Sequence, residues 1–373
     1  MRLNSLKVTD FRNLGSAELT PSPVLTVICG PNGQGKTNLL ESIWLLTGGK
    51  SFRGSKDAEL IRRGAPFAAL EAEFTAGDRD QTLRLTVGGR DTKRPGRTAR
   101  LNGVDRGRAA SVAGTFTAVV FDPNHLSLVK GGPEGRRRFL DAAYCQLRPG
   151  YIASLSEYSR TLAQRNALLK NARQTGARPG ELLDVWDDRL ARIGARLLLA
   201  RRAYVRKIQP VAAAIYDGLS AGRESFSIAM HDDGGEDGMD SGQAAARLLE
   251  RLRETRHADL AAGFTTAGPH RADLLVQIRG LSARSYGSQG QQRSAVLALK
   301  LAEASVLREV TGEQPVALLD DVMSELDLSR QDYILNHIHG WQVFITCCDP
   351  GAVRRLDGGR AFRMQDGILT PDG

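Results

Sequence analysis

The chain has 373 residues, of which 41% are hydrophobic, and its formal net charge is +9 at pH 7. This length allows one large domain or two, and the apolar content is sufficient for a sizeable core. No apolar run approaches the roughly 20 residues of a membrane-spanning helix, and the first residues do not resemble a signal peptide, so we expect a cytoplasmic protein. The four cysteines show no metal-ligand spacing and are interpreted as reduced.

The first 125 residues predict strands with one helix. Leu3 to Phe11 and Val24 to Ile28 have the apolar content of strands, and a helix is predicted from Lys36 to Thr47. The alternating segments 70–74 and 83–87 are typical of half-buried strands. Asn102-Gly103 is a hairpin-turn dipeptide.

A phosphate-binding loop is predicted between the second strand and the helix, because the spacing is Gly-x-x-x-x-Gly-Lys-Thr. Its glycines allow the backbone N–H groups to turn inwards, and the following helix points its positive end at the same place. Lys36 can reach the β- and γ-phosphates of ATP, and the Thr37 hydroxyl can ligate Mg²⁺. The residues predicted to hold the nucleotide here are Gly30, Pro31, Asn32, Gly33, Gln34, Gly35, Lys36 and Thr37.

Residues 134–217 are predicted to be helical, with a break at Arg148-Pro149-Gly150 and a loop from 171 to 180. A last helix of roughly 35 residues would be about 50 Å long. It carries apolar residues at strict sevens, namely Leu183, Leu190, Leu197, Tyr204 and Val211. This helix is either part of a projecting arm or part of a hairpin packed on itself.

Two later segments complete a possible nucleotide site. The apolar strand at 316–320 ends in Asp320-Asp321, and a P-loop enzyme needs such an acid to hold Mg²⁺ and another to orient the attacking water. We assign Asp320 to the metal and Asp321 to the water. Ser288 is predicted to cap the helix that follows it, and Gly290 flanks it, so this helix start is a second candidate phosphate contact.

The P-loop, the serine at a helix start and the paired acids, in this order, resemble the ATP-binding-cassette (ABC) heads. The resemblance implies an α/β ABC-type P-loop ATPase head, formed by residues 1–125 and 264–373, with an inserted α-helical arm domain at 126–263. In such heads the signature serine, here Ser288, meets the γ-phosphate bound to the P-loop of the other subunit. The resemblance therefore implies an ATP-dependent homodimer in which Lys36, Ser288 and Asp321 act on ATP.

A closer similarity is to the RecF family within the SMC and Rad-fifty group, and it spans nearly the whole chain. The segments that carry it are VTDFRNL, GPNGQGKTNLLESIWLL, FDP, LVKG, RRRFLD, GPHR, SQGQQR and LDD. This similarity implies DNA repair and replication restart, binding near junctions of duplex and single-stranded DNA, and help in loading recombinase with RecR and RecO partners. Arg12 and Asn13, in the first segment, are expected to touch the nucleotide base or its phosphates.

The sequence departs from the patterns of these related proteins at three places. Asn124-His125 stands where the family usually has an acidic residue, and Asp321 stands where transporter heads usually have glutamate. The shorter acid favours slow hydrolysis that acts as a timing switch. The switch histidine of transporter heads is missing, and Thr346 is a weak substitute for it.

Basic residues offer candidate contacts to DNA. Arg94 and Arg97 lie in a basic turn of the β region. This turn either contacts the phosphates of duplex DNA or is only a surface loop. Arg136, Arg137 and Arg138 begin a helix, where the dipole disfavours cations, so they require an anionic partner: DNA phosphate or an acidic side chain. Aromatic residues are only 6% and do not interleave with these runs, which favours duplex backbone contact over base stacking.

Three other classes stay open at this stage. A transporter-type ATPase subunit is disfavoured by the basic charge and the missing switch histidine. A structural tether of the SMC type requires hundreds of heptad residues, and this arm has fewer than a hundred. A GTP switch would need a guanine signature, which Asp91-Thr92-Lys93 does not match.

Overall fold

The protein is described by a computed structural model, which covers residues 1–89, 91–92, 95–176, 179–235, 238–348 and 359–372. Its helices and strands, in chain order, are β1 (Arg2–Phe11), β2 (Leu14–Leu19), β3 (Leu25–Cys29), α1 (Lys36–Leu45), β4 (Phe67–Ala76), β5 (Arg79–Gly88), β6 (Gly96–Leu101), β7 (Val104–Arg108), β8 (Ala118–Phe121), α2 (Ser127–Lys130), α3 (Pro133–Leu147), α4 (Gly150–Thr175), α5 (Gly180–Ser220), β9 (Phe226–His231), α6 (Ser241–Glu254), α7 (Arg256–Ala262), β10 (Asp273–Ile278), β11 (Leu281–Ser282), α8 (Ala283–Tyr286), α9 (Gln289–Thr311), β12 (Val316–Asp320), α10 (Leu328–His337), β13 (Val343–Cys347), β14 (Arg360–Gln365) and β15 (Ile368–Pro371).

The chain divides into two compact units. The first comprises Met1–Leu126, Gly218–Ala221 and Arg293–Gly373, and the second comprises Ser127–Asp217 and Gly222–Gln292. Among the described residues, no helix is long and apolar enough to cross a membrane.

A largely parallel sheet forms the centre of the first unit, with strand order β15-β14-β3-β13-β12-β8. The strands β3, β12, β13 and β8 are rich in Val, Ile, Leu and Phe and are almost wholly buried, as expected for a parallel sheet covered on both faces. Because the carboxyl ends of parallel strands share an edge, the residues after β3 and at the end of β12 come to the same side. Thr346 of β13 lies between them, since it pairs with both Ile28 and Asp320.

The first unit also holds an antiparallel sheet, with strand order β2-β1-β4-β5-β6-β7. The alternating segments predicted at 70–74 and 83–87 lie in β4 and β5, which pair with each other. The predicted hairpin turn is confirmed, because Asn102 and Gly103 join β6 to β7 with φ angles of 52° and 77°. Both residues are in the left-handed region that a two-residue hairpin turn requires.

The second unit is built on a helical hairpin. Helix α5 has 41 residues, somewhat more than predicted, and α4 folds back along it. Along α4, Tyr158 packs at Gly194 of α5, and Arg165 further on pairs with Asp187 nearer the start of α5. The contacts therefore run in opposite directions, and of the two arrangements that the sequence left open, the hairpin is the observed one.

Two boundaries differ from the sequence-based expectation. Helix α4 continues to Thr175, five residues into the segment predicted as a loop. Residues 264–292 were assigned to the head from sequence, whereas in the structure they lie in the second unit. The reason is strand pairing: β10 is joined to β9 along its whole length, so the second unit contains a three-stranded sheet besides its helices.

Candidate nucleotide-binding site

Two glycines of the loop between β3 and α1, Gly30 and Gly35, have backbone conformations that other residues adopt only with strain. Gly30 has a φ of 151° and Gly35 a φ of 116°. A Cβ atom on Gly30 would lie 2.2 Å from the carbonyl oxygen of Met364, and one on Gly35 would lie 2.8 Å from Asn13 Oδ1. The two glycines therefore satisfy both a backbone requirement and a close approach by neighbouring chain segments.

Lys36 starts helix α1 and folds back over the loop. Its ammonium group donates hydrogen bonds to the carbonyl oxygens of Gly30, at 2.6 Å, and Pro31, at 2.9 Å. The side chain is buried, and its nitrogen also lies 3.7 Å from the sulfur of Cys348. A cation, a helix N-terminus and a turn rich in N–H groups thus converge on one place, which is the arrangement that binds phosphate.

Asp320 accepts two hydroxyl hydrogen bonds at the end of β12. Thr37 Oγ1 donates to Asp320 Oδ1 over 2.9 Å, and Thr346 Oγ1 donates to the same oxygen over 2.7 Å. Burial raises the pKa of Asp320; the two hydroxyls oppose this shift, and the nearby carboxylates of Asp122 and Asp321 add to it. Its negative charge is therefore under-compensated, which suits a divalent cation.

The donor set fits Mg²⁺ bound together with a nucleotide. Magnesium prefers oxygen ligands and is usually held by one or two carboxylates plus substrate phosphates rather than by a protein cage. Among the described residues, no group of three or more His, Cys, Asp or Glu side chains could hold a metal ion. The carboxylate of Asp320 and the hydroxyl of Thr37 are the oxygen donors that the site supplies.

Asp321 follows directly but is oriented differently. Its backbone is in the left-handed region, with a φ of 51°, and its N–H donates to Thr346 Oγ1 over 2.9 Å. The hydroxyl of Ser324 donates to the Asp321 carbonyl oxygen at 2.8 Å and lies 3.2 Å from its carboxylate. Thr346, predicted only as a weak substitute for a switch histidine, is thus bonded to both acids.

Arg12 and Asn13 lie beside the loop but have different contacts. Arg12 makes a two-pronged ion pair with Glu41, at 2.8 and 2.9 Å, and Glu41 is fully buried within α1. Asn13 donates to the carbonyl oxygen of Gln34 over 3.0 Å and accepts from Asn38 over 2.8 Å. The structure therefore brings Asn13 to the P-loop itself and Arg12 to the helix that follows it.

Ser288 caps helix α9, as the sequence predicts. Its hydroxyl accepts from the Gln291 N–H at 3.2 Å, and its own N–H donates to the Gln291 side chain at 2.7 Å. This reciprocal pair is a capping box. Ser288 is exposed, and Gly290 lies in the first turn of the helix.

The two candidate DNA contacts in the β region are Arg94 and Arg97. Arg94 lies outside the described residues. Arg97 is not on a free surface: it pairs with Asp57 at 2.9 Å, donates to the carbonyl oxygen of Gly49, and is only 12% exposed. The guanidinium group of Arg97 thus has partners within the first unit, and its contact with DNA stays a prediction.

The three arginines at the start of α3 separate into different roles. Arg136 is 4% exposed and makes a two-pronged pair with Asp273, at 2.6 and 2.8 Å, so its anionic partner is an acidic side chain and not DNA. Arg137 donates to the carbonyl oxygen of Ala272 at 2.8 Å and is partly buried. Arg138 is exposed, and its guanidinium group lies 3.8 Å from the carboxylate of Glu134, which is also exposed. The positive charge of Arg138 therefore faces solvent.

A parallel sheet with a P-loop after one strand and a carboxylate at the end of a strand two positions away is the arrangement of a P-loop nucleotide-binding head. The antiparallel sheet in the same unit and the second unit, which is inserted between β8 and β12, agree with the ABC-type head that the sequence resemblance implies. The first unit thus has the α/β fold of an ABC-type ATPase head.

Comparisons with known proteins identify the family. A family described as the RecF/RecN/SMC N terminal domain matches residues 2–369. The DNA replication and repair protein RecF of Heliobacterium modesticaldum is 39% identical over 384 residues, and that of Anaeromyxobacter dehalogenans 40% over 382 residues, with at least 99% of each chain covered. A solved structure of the recombination mediator protein RecF with ATP, in the RecFOR pathway, superposes with a TM-score of 0.91 at 34% identity, covering 100% of this chain and 98% of the other.

The chain therefore belongs to the RecF family of DNA replication and repair proteins. This assignment replaces the transporter, tether and GTP-switch classes that the P-loop alone allowed.

Proposed function

We propose that this protein is an ATP-gated clamp on DNA, which binds Mg–ATP, closes as a homodimer near gaps in duplex DNA and aids the loading of recombinase. The observation that carries the proposal is the hydrogen bond between Thr37 and Asp320 beside the ammonium group of Lys36. Lys36 and Thr37 are neighbours in the sequence, whereas Asp320 lies 283 residues after Thr37, and the fold brings them to the edge of one sheet. The ATP-bound structure of a similar RecF supports the choice of nucleotide.

Each residue of the site then has a distinct task. Lys36 and the inward-facing N–H groups of the P-loop bind and orient the β- and γ-phosphates. Thr37 and Asp320 would hold Mg²⁺, which when bound neutralises phosphate charge. Asp321 orients the attacking water, and because aspartate is shorter than glutamate we expect weak, slow hydrolysis that times release.

The homodimer is supported by the position of Ser288. Its hydroxyl is exposed at the start of a 23-residue helix, where the helix dipole favours an anion. In the closed dimer, Ser288 of one protomer would cap the γ-phosphate held by the P-loop of its partner. ATP can drive this closure only if it binds the closed dimer better than the open monomer.

Contact with DNA is assigned to exposed cations that have no buried carboxylate as partner. Arg138 meets this condition, Arg137 is partly available, and Arg94 stays a candidate from sequence. Partners of the RecR and RecO type are proposed from family membership, and their binding surface on this chain is left open.

The test is a titration of the protein against a gapped duplex at fixed salt, with and without Mg–ATP. Salt must be fixed because phosphate contacts are strongly salt-dependent. Ser288→Arg should still bind ATP but lose ATP-dependent dimerisation and tight DNA binding. Ser241→Arg, at the exposed start of α6 in the same unit, controls for the added charge. ATP-independent DNA binding by the unmodified protein, or normal dimerisation of Ser288→Arg, would contradict the clamp.

A further inference from the structure

The turn of the C-terminal hairpin, residues 366–367 between β14 and β15, is bonded to the P-loop from outside. The side-chain oxygen of Gln34 accepts a hydrogen bond from the N–H of Asp366. The carbonyl oxygen of Gln34 accepts from the N–H of Gly367 over 3.1 Å and from the Asn13 side chain over 3.0 Å. A residue in the middle of the P-loop is therefore fixed by three hydrogen bonds, two of which come from a turn 332 residues later in the chain.

The hairpin reaches the loop because of the sheet. Strand β14 runs parallel to β3 and pairs with it up to Cys29, the last residue before the loop. A Cβ atom on Gly367 would lie 2.4 Å from the carbonyl oxygen of Asn13, and one on Gly30 would lie 2.2 Å from that of Met364. Backbone thus packs on backbone at two points, which leaves the P-loop little room to shift outwards.

The turn itself is stiff. Asp366 has a φ of 50° and Gly367 a φ of 77°, both in the left-handed region. Two consecutive residues of this kind form the tight hairpin turn whose twist matches its strands. The two N–H groups that face Gln34 are therefore held in fixed positions.

We infer that Gln34, Asp366 and Gly367 are positioning residues for nucleotide binding: the C-terminal turn holds the P-loop in its phosphate-binding shape without touching the nucleotide. A loop that is already ordered loses less conformational freedom when ligand binds, so affinity rises without any added contact. The inference rests on the proposed binding of ATP at this loop. It predicts that damage to a distant turn weakens ATP binding more than it weakens the fold.

The chain contains a closely matched control for this test. Gly103 occupies the same position in the β6–β7 turn, with the same φ of 77°, and follows Asn102 at 52° as Gly367 follows Asp366 at 50°. No described atom lies within 4 Å of a Cβ atom placed on Gly103. Gly367→Ala and Gly103→Ala therefore introduce the same backbone strain, but only Gly367→Ala presses on the support of the P-loop.

The experiment measures the Kd for Mg–ATP by calorimetry and the melting temperature of both full-length variants. We expect both variants to lose melting temperature, Gly367→Ala more because its Cβ atom also meets the Asn13 carbonyl oxygen, but a Kd at least about fivefold higher for Gly367→Ala alone. Gln34→Ala, which removes only a side-chain acceptor, should also raise the Kd while leaving the melting temperature nearly unchanged. In the double variant Gln34→Ala/Gly367→Ala, the two effects on Kd should not add, because both substitutions disturb the contact between Gln34 and the turn at 366–367.

Equal ATP affinities of the two alanine variants, with the unmodified protein binding ATP, would overturn the inference and leave the proposed function intact. If Gly367→Ala does not fold, Gln34→Ala decides in its place, and an unchanged Kd there overturns the inference. Failure of the unmodified protein to bind ATP would refute the proposed function and the inference together.

Discussion

The second unit contains a fully buried ion cluster whose removal should destabilise it strongly. Arg165 of α4 donates to Asp187 of α5 and to Asp259 of α7, both at 2.6 Å, and to the hydroxyl of Thr265 at 2.8 Å. Both of its ion pairs are completely inaccessible to solvent. We therefore choose Arg165→Met, which keeps most of the length of the side chain but removes the charge.

The size of the effect follows from the partners that stay behind. Asp187 keeps an ion pair with Arg256 at 2.6 Å, whereas the partners that Asp259 keeps among the described residues are the N–H and hydroxyl of Thr266. One buried carboxylate thus loses its counter-charge. Breaking a buried pair from one side costs about 3–5 kcal/mol, and we take the lower end, about 3 kcal/mol, because the donors from Thr266 persist.

Hydrogen exchange measured by mass spectrometry is the appropriate assay, since a chain of two units need not unfold in one step. A loss of about 3 kcal/mol corresponds to protection factors roughly a hundredfold lower for amides of α4 and α5, with β3 of the first unit as internal reference. Arg189→Met is the control: Arg189 also joins α5 to α4, through Glu157, but that pair is 55% and 38% exposed, and exposed pairs contribute less than about 1 kcal/mol. Equal effects of the two variants would refute the reasoning.

Four further outcomes are expected. Asp320→Asn should weaken ATP binding about tenfold in Mg²⁺ but little in EDTA, measured by calorimetry, because it removes a charge while keeping an oxygen; equal losses would contradict its metal role. All four cysteines are among the described residues, and of these only Cys348 is exposed. A thiol reagent should therefore label one site in the native protein, and it should do so more slowly in the presence of Mg–ATP. A second rapidly labelled site would contradict the burial pattern. Burial lowers the pKa of His270, so below pH 6.5 the unfolded chain binds more protons than the folded chain, and the melting temperature should fall as the pH decreases. His270→Gln should make this fall less steep. Parallel pH profiles of the two proteins would contradict the role of His270. Arg138→Ala should reduce the salt dependence of DNA binding by about one unit of slope, whereas Arg136→Ala should instead lower the melting temperature, and the reverse pattern would contradict the assignment.

The sequence predicts features whose determinants are local. The P-loop, the Asn102-Gly103 turn and the cap at Ser288 each depend on a few neighbouring residues with special backbone or hydrogen-bonding properties, so their chemistry can be recognised without the fold. The buried strand at 316–320 is equally recognisable from its continuous apolar run. These features are sufficient to indicate an ABC-type head.

Features that depend on distant partners could not be predicted in this way. Nothing near Arg136 indicates that Asp273 is its partner, because the two residues are 137 positions apart. The boundary near residue 264 failed for the same reason, since the pairing of β10 with β9 depends on how the helices between them are placed. The support of Gln34 by the turn at 366–367 is a still longer-range contact.

Buried arginines show why the net charge of the chain does not locate a surface that binds DNA. Arg136, Arg165 and Arg201 are all at least 95% buried, and each makes a charged pair at 2.6 to 2.9 Å with an aspartate of the second unit. The planar guanidinium group suits such pairs as well as it suits phosphate, so the same residue type marks both an interior and a nucleic-acid surface. Arginines of the first kind add nothing to the attraction of DNA, because their charge is cancelled within the fold. The cations that remain available for phosphate are those, such as Arg138, whose carboxylate partner is itself exposed and can be exchanged.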